Sequence, residues 1–307
     1  MKTIKEILEQ AKKLQTQTIA VAAPEDKASL EAICSAVEDG IAKAIFVGNQ
    51  KHIEEEMKSL GLSSYKNIDF QPVDTHVQSA VKAVELVKNG SAQLLMKGTL
   101  HTDEILRAVL DKNVGLRTNR LLSHALIFEL PGYHKLMALT DAAMNIAPDL
   151  SQKVQILQNS AEFMAILSDS EKIKAAILAA VETVNLKMPA TLDAAYIAKM
   201  SQRGQIKNVI ADGPLAIDNA IYTESAKIKG ITSPVCGDPD VLLVPDIEAG
   251  NVLYKSLTML AGFPAAGIIL GSKAPVILTS RADDIKTKLY SIALGALACA
   301  KGYGKQH

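Results

Sequence analysis

The residues Thr279-Ser280-Arg281-Ala282-Asp283-Asp284 place a hydroxyl, a fixed positive charge and two carboxylates within six positions. A hydroxyl and a guanidinium can donate hydrogen bonds to an oxygen that is gaining negative charge, and a carboxylate can move a proton. Thr, Ser and Asp ahead of a helix are also ordinary N-caps, and acids in a first turn suit the helix dipole. Arg281 fits that plainer reading less well. A cation at a helix start opposes the dipole, and an anion arriving there explains it better.

The stretch that must position these groups runs from Gly267 to Asp284. It is apolar, turns at Gly271-Ser272-Lys273, and is apolar again from Pro275 to Leu278, the pattern of two buried strands. From about Asp284 the pattern becomes helical, with Leu289, Ile292, Ala293 and Ala296 at i, i+3, i+4 and i+7. A strand that ends in Thr-Ser-Arg and feeds a helix sets its reactive groups at a carboxyl edge, where open α/β sheets hold ligands.

The rest of the chain supplies such sheets. Strands are expected at Thr18 to Ala23, Ala44 to Gly48 and Ala92 to Lys97, with helices at Asp26 to Gly40, Lys51 to Leu60 and Val77 to Asn89. That rhythm predicts parallel strands with right-handed crossovers. Thr102 is a natural cap for a helix carrying Ile105, Leu106, Val109 and Leu110, and Arg107 on that helix reads as a solvated charge. Ala125 to Leu130 and Leu136 to Leu139 flank Pro131-Gly132 and predict an antiparallel hairpin, where a domain boundary is placed.

Beyond it, strands are expected within Ala175 to Val184, at Asn208 to Ala211 and at Val241 to Pro245. Helices are expected at Ser151 to Phe163, Thr191 to Arg203 and Val252 to Ala261. Polar turns follow strands at Lys97, Asp141, Asp212, Asp246 and Ser280. Each alone is ordinary turn chemistry. Gathered on one sheet edge per domain, they predict a crevice between domains.

Composition narrows the function classes. Of 307 residues 48% are hydrophobic, and 33 Lys plus Arg balance 33 Asp plus Glu, so neither a nucleic acid nor a membrane surface is the expected partner. Five Phe, seven Tyr and no Trp make a base-stacking platform a poor fit. Cys34, Cys236 and Cys299 are odd in number and form no CxxC, which fits a reducing cytoplasm and neither a disulfide framework nor a zinc site. The N-terminal segment is an amphipathic helix with Ile4, Leu8 and Ala11 on one face, without the apolar core of a signal peptide. No segment approaches the roughly 18 consecutive apolar residues of a membrane span. A soluble, cytoplasmic protein is expected.

Seven segments carry a family resemblance: KGTLHTDEILRAVL from Lys97, SHALIFELPGYHK from Ser123, LTDAAMNIAPD from Leu139, NLKMPATLDAA from Asn185, ADGPLAIDNA from Ala211, GDPDVLLVPDIEAGN from Gly237 and ILTSRADD from Ile277. Over nearly its whole length the chain resembles the phosphate butyryltransferases and, more distantly, the phosphate acetyltransferases. The resemblance implies two α/β domains with a cleft between them, of the isocitrate/isopropylmalate-dehydrogenase-like type. Residues 1–133 plus 283–307 then form one domain, to which the last helix returns, and 134–282 the other.

It also implies reversible transfer of an acyl group between coenzyme A and inorganic phosphate, with coenzyme A as substrate rather than cofactor, no metal and no covalent acyl-enzyme. Butyryl or a related short or branched acyl-CoA is the expected substrate, with acetyl-CoA the alternative. In that reading Arg281 stabilises developing charge, Ser280 donates a hydrogen bond at the reacting centre, and Asp283 or Asp284 handles the thiol proton. Asp283 is favoured because in the butyryl branch the acid follows Ser-Arg at this short spacing. Arg107 and Arg120 sit where relatives bind phosphate, with Arg117 the competitor of Arg120. Asp141, Asn145, Lys187, Asp212, Asp246 and Asn251 are candidates to line the coenzyme site. The chain departs from the acetyltransferases at Ala142, where they carry a cysteine, so no thiol there can be essential. A homo-oligomer is expected, with the apolar hairpin Ala125 to Leu139 as a contact surface.

Two other readings compete. A metal- and NAD-dependent decarboxylating dehydrogenase of the same fold type needs paired aspartates, for which Asp238/Asp240 and Asp212/Asp218 are candidates, but no arginine-rich substrate helix accompanies them. A coenzyme-A-binding regulator without turnover is opposed by the intact Ser-Arg-Asp sequence.

Overall fold

The computed structural model describes residues 1–62, 66–168, 170–280 and 283–304. The chain begins with α1 (Ile4–Ala11), β1 (Gln17–Ala22), α2 (Lys27–Glu38), β2 (Ala42–Gly48), α3 (Gln50–Ser59), β3 (Ile68–Pro72), α4 (His76–Lys88), β4 (Leu94–Lys97) and α5 (Thr102–Leu110). It continues with β5 (Ser123–Phe128), β6 (Met137–Thr140), α6 (Leu150–Ser168), β7 (Ile173–Leu178), α7 (Pro189–Gln202), β8 (Val209–Leu215), α8 (Ile217–Ile221), α9 (Thr223–Ile228), β9 (Val241–Leu243) and α10 (Ile247–Lys255). A wide π-helical turn, Ser256–Leu260, extends α10, and β10 (Ala265–Leu270), β11 (Val276–Ile277) and α11 (Ile285–Ala300) complete the fold. No described helix is long and apolar enough to cross a membrane.

Contacts divide the chain into two compact units, Met1–Thr3 with Leu121–Pro264, and Ile4–Arg120 with Ala265–His307. In the second of these, strands lie in the order β3-β2-β1-β4-β11-β10. Strand β1 pairs in parallel with β2 and β4, and β11 pairs in parallel with β4, while β10 runs antiparallel to β11 through Ile269 and Val276. The carboxyl ends of β1, β4 and β11 therefore share one edge, where the chain continues as Ala23-Pro24-Glu25-Asp26, Lys97-Gly98-Thr99 and Thr279-Ser280. Two of these exits touch. Gly98 N–H donates to Ala22 O at 2.8 Å and Thr99 N–H to Ala23 O at 2.8 Å. A Cβ on Gly98 would lie 2.0 Å from Ala23 O, so only glycine lets the backbones approach this closely.

Helix starts follow the sequence chemistry. Asp26 caps α2 by accepting from Ser29 N at 2.9 Å, Thr75 and Gln78 form a capping box on α4, and Pro189 opens α7. One expected cap moves by a residue. Thr102 is the first residue of α5, and His101 precedes it with its N–H bound to Glu104 Oε2 at 2.8 Å. Strand β3 was not legible in the sequence, because it lies at the end of the strand order with only Ile68 buried and shows little apolar pattern. Helix α11 is more deeply set than a one-faced stripe implies. Every residue from Ser291 to Ala298 is buried, and the helix packs on α1, α2 and β10, the behaviour of a helix apolar on all sides.

In the other unit the order is β5-β6-β9-β7-β8. The expected hairpin is present, with Leu126, Ile127 and Phe128 opposite Leu139, Ala138 and Met137. Its strands are wholly buried within this chain, so they offer no exposed apolar surface for a second copy. Strands β6 and β7 run parallel to β9, and β8 runs parallel to β7. Two expected turns fall inside elements instead. Asp212-Gly213-Pro214 continues β8 to Leu215, and the segment from Ile247 to Asn251 is the start of α10. Short polar insertions masked both, since Asp, Gly and Pro in a strand and an acidic first helical turn read locally as loop.

Candidate active site

The exit of β11 is held by a closed set of bonds. Ser280 N–H donates to Asp283 Oδ2 at 2.7 Å, and Asp283 N–H returns a bond to Ser280 O at 3.2 Å. Asp284 is the N-cap of α11, its Oδ1 accepting from Thr287 N at 2.7 Å. The two adjacent acids therefore have different jobs. Asp283 braces the serine, and Asp284 starts the helix. Ser280 is exposed while Thr279 is buried, and the serine backbone is fixed by these bonds. Arg281 lies outside the described residues.

Lys288 completes this arrangement and was not singled out from the sequence. Its Nζ donates to Ser280 O at 3.0 Å and to Thr279 Oγ1 at 3.2 Å, and the residue is only 3% exposed. Burial pushes its ammonium below the usual lysine range, and Asp26, Asp283 and Asp284 oppose that shift. A signal was available. Lys288 stands one turn before Ile292 and two before Ala296, on the apolar stripe of the last helix, where a lysine is out of place.

In the other unit Asp141 and Asp246 follow the adjacent parallel strands β6 and β9. Asp141 is 2% exposed and accepts from His124 N at 3.2 Å, Ala143 N at 2.9 Å, Met144 N at 3.0 Å and Asn145 Nδ2 at 2.5 Å. Asn145 Nδ2 also donates to Leu122 O at 2.9 Å. Asp246 caps α10 through Ala249 N at 2.9 Å, and Asn251 Nδ2 donates to Ala142 O at 3.2 Å. Gly250 permits this contact, since a Cβ there would stand 2.6 Å from Asp141 O. The structure thus gathers Asp141, Asn145, Asp246 and Asn251, with their described polar atoms largely spent on the loop itself.

The remaining candidates lie elsewhere in their units. Arg107 is exposed and paired with Asp103 at 3.0 Å, one turn back on α5. Arg120 is half-buried, its N–H bound to Thr118 Oγ1 at 3.0 Å, whereas Arg117 is exposed. Lys187 is exposed in the segment ahead of α7, its N–H bound to Asn185 Oδ1 at 2.9 Å. Asp212 lines a cavity of about 730 Å³ along α7 and β8, together with Lys172, Lys199, Asn208 and Thr232.

The aspartates that would suit a cation are engaged. Asp238 accepts from His134 at 2.7 Å, Lys135 at 2.7 Å and Lys174 at 2.5 Å, and Asp240 pairs with Lys135 at 2.7 Å. Asp218 pairs with Lys229 at 3.3 Å. The thiols are held neutral: burial, with Glu38, raises Cys34 to about 11, and burial raises Cys299 to about 12.

Similarity to known proteins identifies the family. The family described as phosphate acetyl/butaryl transferase matches residues 62–296. The chain belongs to that family. It is 45% identical over 302 residues to a phosphate butyryltransferase of Clostridium beijerinckii, covering 98% of this chain and 99% of the relative. It is 44% identical over 281 residues to a phosphate acetyltransferase of Rhizobium meliloti, covering 92% and 88%. Among solved structures, a branched-chain phosphotransacylase from Enterococcus faecalis V583 superposes with a TM-score of 0.83 at 30% identity, over 94% of this chain and 100% of that one. A 4-hydroxythreonine-4-phosphate dehydrogenase from Klebsiella pneumoniae, at 10% identity and a TM-score of 0.56 over 93% and 99%, shares the fold.

Proposed function

We propose that the protein transfers a short linear or branched acyl group, butyryl above all, between the sulfur of coenzyme A and an oxygen of inorganic phosphate. The observation that carries this reading is the exposed Ser280 at the exit of β11, braced by Asp283 in a family of acyl–phosphate transferases. A phosphate oxygen attacks the thioester carbonyl carbon, and the new C–O bond pushes the carbonyl electrons onto oxygen. Ser280 donates a hydrogen bond to that oxyanion, and Arg281 offsets the charge that develops around it. Collapse re-forms the carbonyl and breaks the C–S bond. Asp283 takes up the proton that the attacking phosphate loses and hands it to the leaving thiolate, and in the reverse direction its carboxylate takes the proton of the thiol.

In this reading Asp284 serves as the helix cap, and Arg107 and Arg120 draw phosphate. Lys187, Asp212 and the Asp141–Asn251 group are assigned to the coenzyme side, the last by shaping a loop. The isocitrate/isopropylmalate-dehydrogenase-like assignment of the fold draws support from the shared architecture of the 4-hydroxythreonine-4-phosphate dehydrogenase. Discrimination among acyl chains is expected to be graded, since one methylene in an apolar pocket is worth about 1–3 kcal/mol. The dehydrogenase alternative loses its aspartate pairs to lysines at Asp238, Asp240 and Asp218.

The experiment is to incubate the protein with butyryl-CoA, phosphate and EDTA and to trap acyl phosphate with hydroxylamine. Hydroxamate that appears only when phosphate is present is the expected result. No hydroxamate, together with NAD reduction that requires a divalent cation, would overturn the proposal.

A further inference from the structure

We infer that Lys288 is a positioning residue for the acyl-transfer step: its ammonium fixes Ser280 from behind and offsets the carboxylates gathered at this edge. The inference rests on the reading that Ser280 works at the reacting centre. Lysine is among the residues least often buried, and here it is 3% exposed. It also sits in the first turn of α11, where the helix dipole disfavours a cation. An apolar side chain would fill the same place on the buried stripe at lower cost. A residue disfavoured on both counts has something to do, and its two bonds say what.

Side chains on a helix lean toward its N-terminus, so Lys288 reaches back across the start of α11 to the end of β11. There its Nζ meets Ser280 O at 3.0 Å and Thr279 Oγ1 at 3.2 Å. Ser280 is thus gripped on both sides of its Cα. Its N–H goes to Asp283 Oδ2, and its carbonyl accepts from both Asp283 N and Lys288 Nζ. The serine side chain therefore departs from a backbone with little freedom, which is what a donor aimed at a transient oxyanion needs.

Charge supplies the second part of the role. Asp26 from the cap of α2 and Asp283 and Asp284 from the start of α11 are the carboxylates whose charges favour the ammonium of Lys288. The oxyanion of the reacting carbonyl gathers negative charge, and carboxylates at the edge repel it as it forms. A buried ammonium reduces that repulsion without standing in the substrate's path, and it is screened less by salt than a surface lysine would be.

The test compares Lys288→Met, Lys288→Gln and Lys288→Arg with the parent and with Ser280→Ala, in thiol release from butyryl-CoA and in thermal unfolding. Lys288→Met is expected to lower kcat by about tenfold or more, the scale of a small misplacement of a reacting group. Its KM for butyryl-CoA should stay within about twofold, because the residue lies behind the serine and not against the coenzyme. Its melting temperature should stay within a few degrees of the parent's, since the burial penalty it escapes offsets the two hydrogen bonds it loses. Lys288→Gln keeps a donor without the charge and should fall between Met and the parent, and Lys288→Arg should regain part of the lost kcat.

Parental kcat in Lys288→Met, with Ser280→Ala impaired, would overturn the inference and leave the site reading intact. A kcat loss that follows a fall in melting temperature, with no recovery in Lys288→Arg, would reduce Lys288 to a packing pin and overturn it too. Parental turnover in Ser280→Ala would remove the site reading and this inference with it.

Discussion

The edges at Asp141 and at Ser280 look alike in sequence, since each is a buried strand ending in a threonine and leading to an aspartate. They use their acids differently. Asp141 is buried and accepts from three backbone N–H groups and one side-chain amide, so its carboxylate holds a loop in shape. At the other edge Asp283 accepts from the backbone N–H of an exposed serine, and a buried lysine grips that serine from the far side. A carboxylate surrounded by its own loop's donors serves structure, and the proposed chemistry is assigned to the one that shares a serine with a buried cation.

The largest expected effect breaks the structural side of this contrast. Asp141→Ala strips partners from His124 N, Ala143 N, Met144 N and Asn145 Nδ2. At about 1 kcal/mol or more for each stranded donor, it should lower stability by roughly 3 kcal/mol or more, read in a denaturant melt. Stability near the parent's would show that the loop does not depend on that carboxylate.

The chemical side is sharpened by separating the two neighbouring acids. Asp283→Asn keeps the size and an acceptor oxygen for Ser280 N–H but cannot relay a proton. It should lower kcat by about 100-fold with little change in melting temperature. Asp284→Ala removes the cap on Thr287 N and should cost about 1 kcal/mol of stability, with kcat falling less than about threefold. Reversed outcomes would move the proton role to Asp284.

Most of the fold could be read from sequence where period and punctuation agree. The strands of the parallel sheets are short apolar runs closed by Gly, Asp or Lys, and the helices expected from Asp26, Val77 and Thr191 start within two residues of the observed α2, α4 and α7. Legibility failed where tertiary context overrides the local signal. Strand β8 runs through Asp212-Gly213-Pro214, a sequence that reads as a turn, and α10 begins at Ile247 inside a stretch that reads as a polar loop. At the site, Ser280 and Asp283 stood out because hydroxyl, cation and acid are close in sequence. Lys288 did not, because its importance comes from burial against the end of β11, which a pattern of residue types does not encode.

The smallest expected effect lies in the ion cluster around Asp238. Burial alone would raise this carboxyl, but hydrogen bonds from Lys135, Lys174 and His134 hold it well below the usual carboxylate range. A depressed acid adds stability that is fully present above its unfolded value of about 3.9 and disappears as pH falls through its folded one. Melting temperature should therefore decline below about pH 4 less steeply in Asp238→Asn than in the parent. Because the group is partly exposed, the difference should be small. Parallel curves would show that the cluster adds nothing.

The central claim, that acyl transfer takes place at the Ser280 edge, is tested most directly by phosphate-dependent thiol release from butyryl-CoA in the parent protein and in Ser280→Ala, side by side. The account predicts robust release by the parent and a kcat about 100-fold or more lower in the variant, the scale of losing one oxyanion donor, at an unchanged melting temperature. Equal release by both proteins would contradict it.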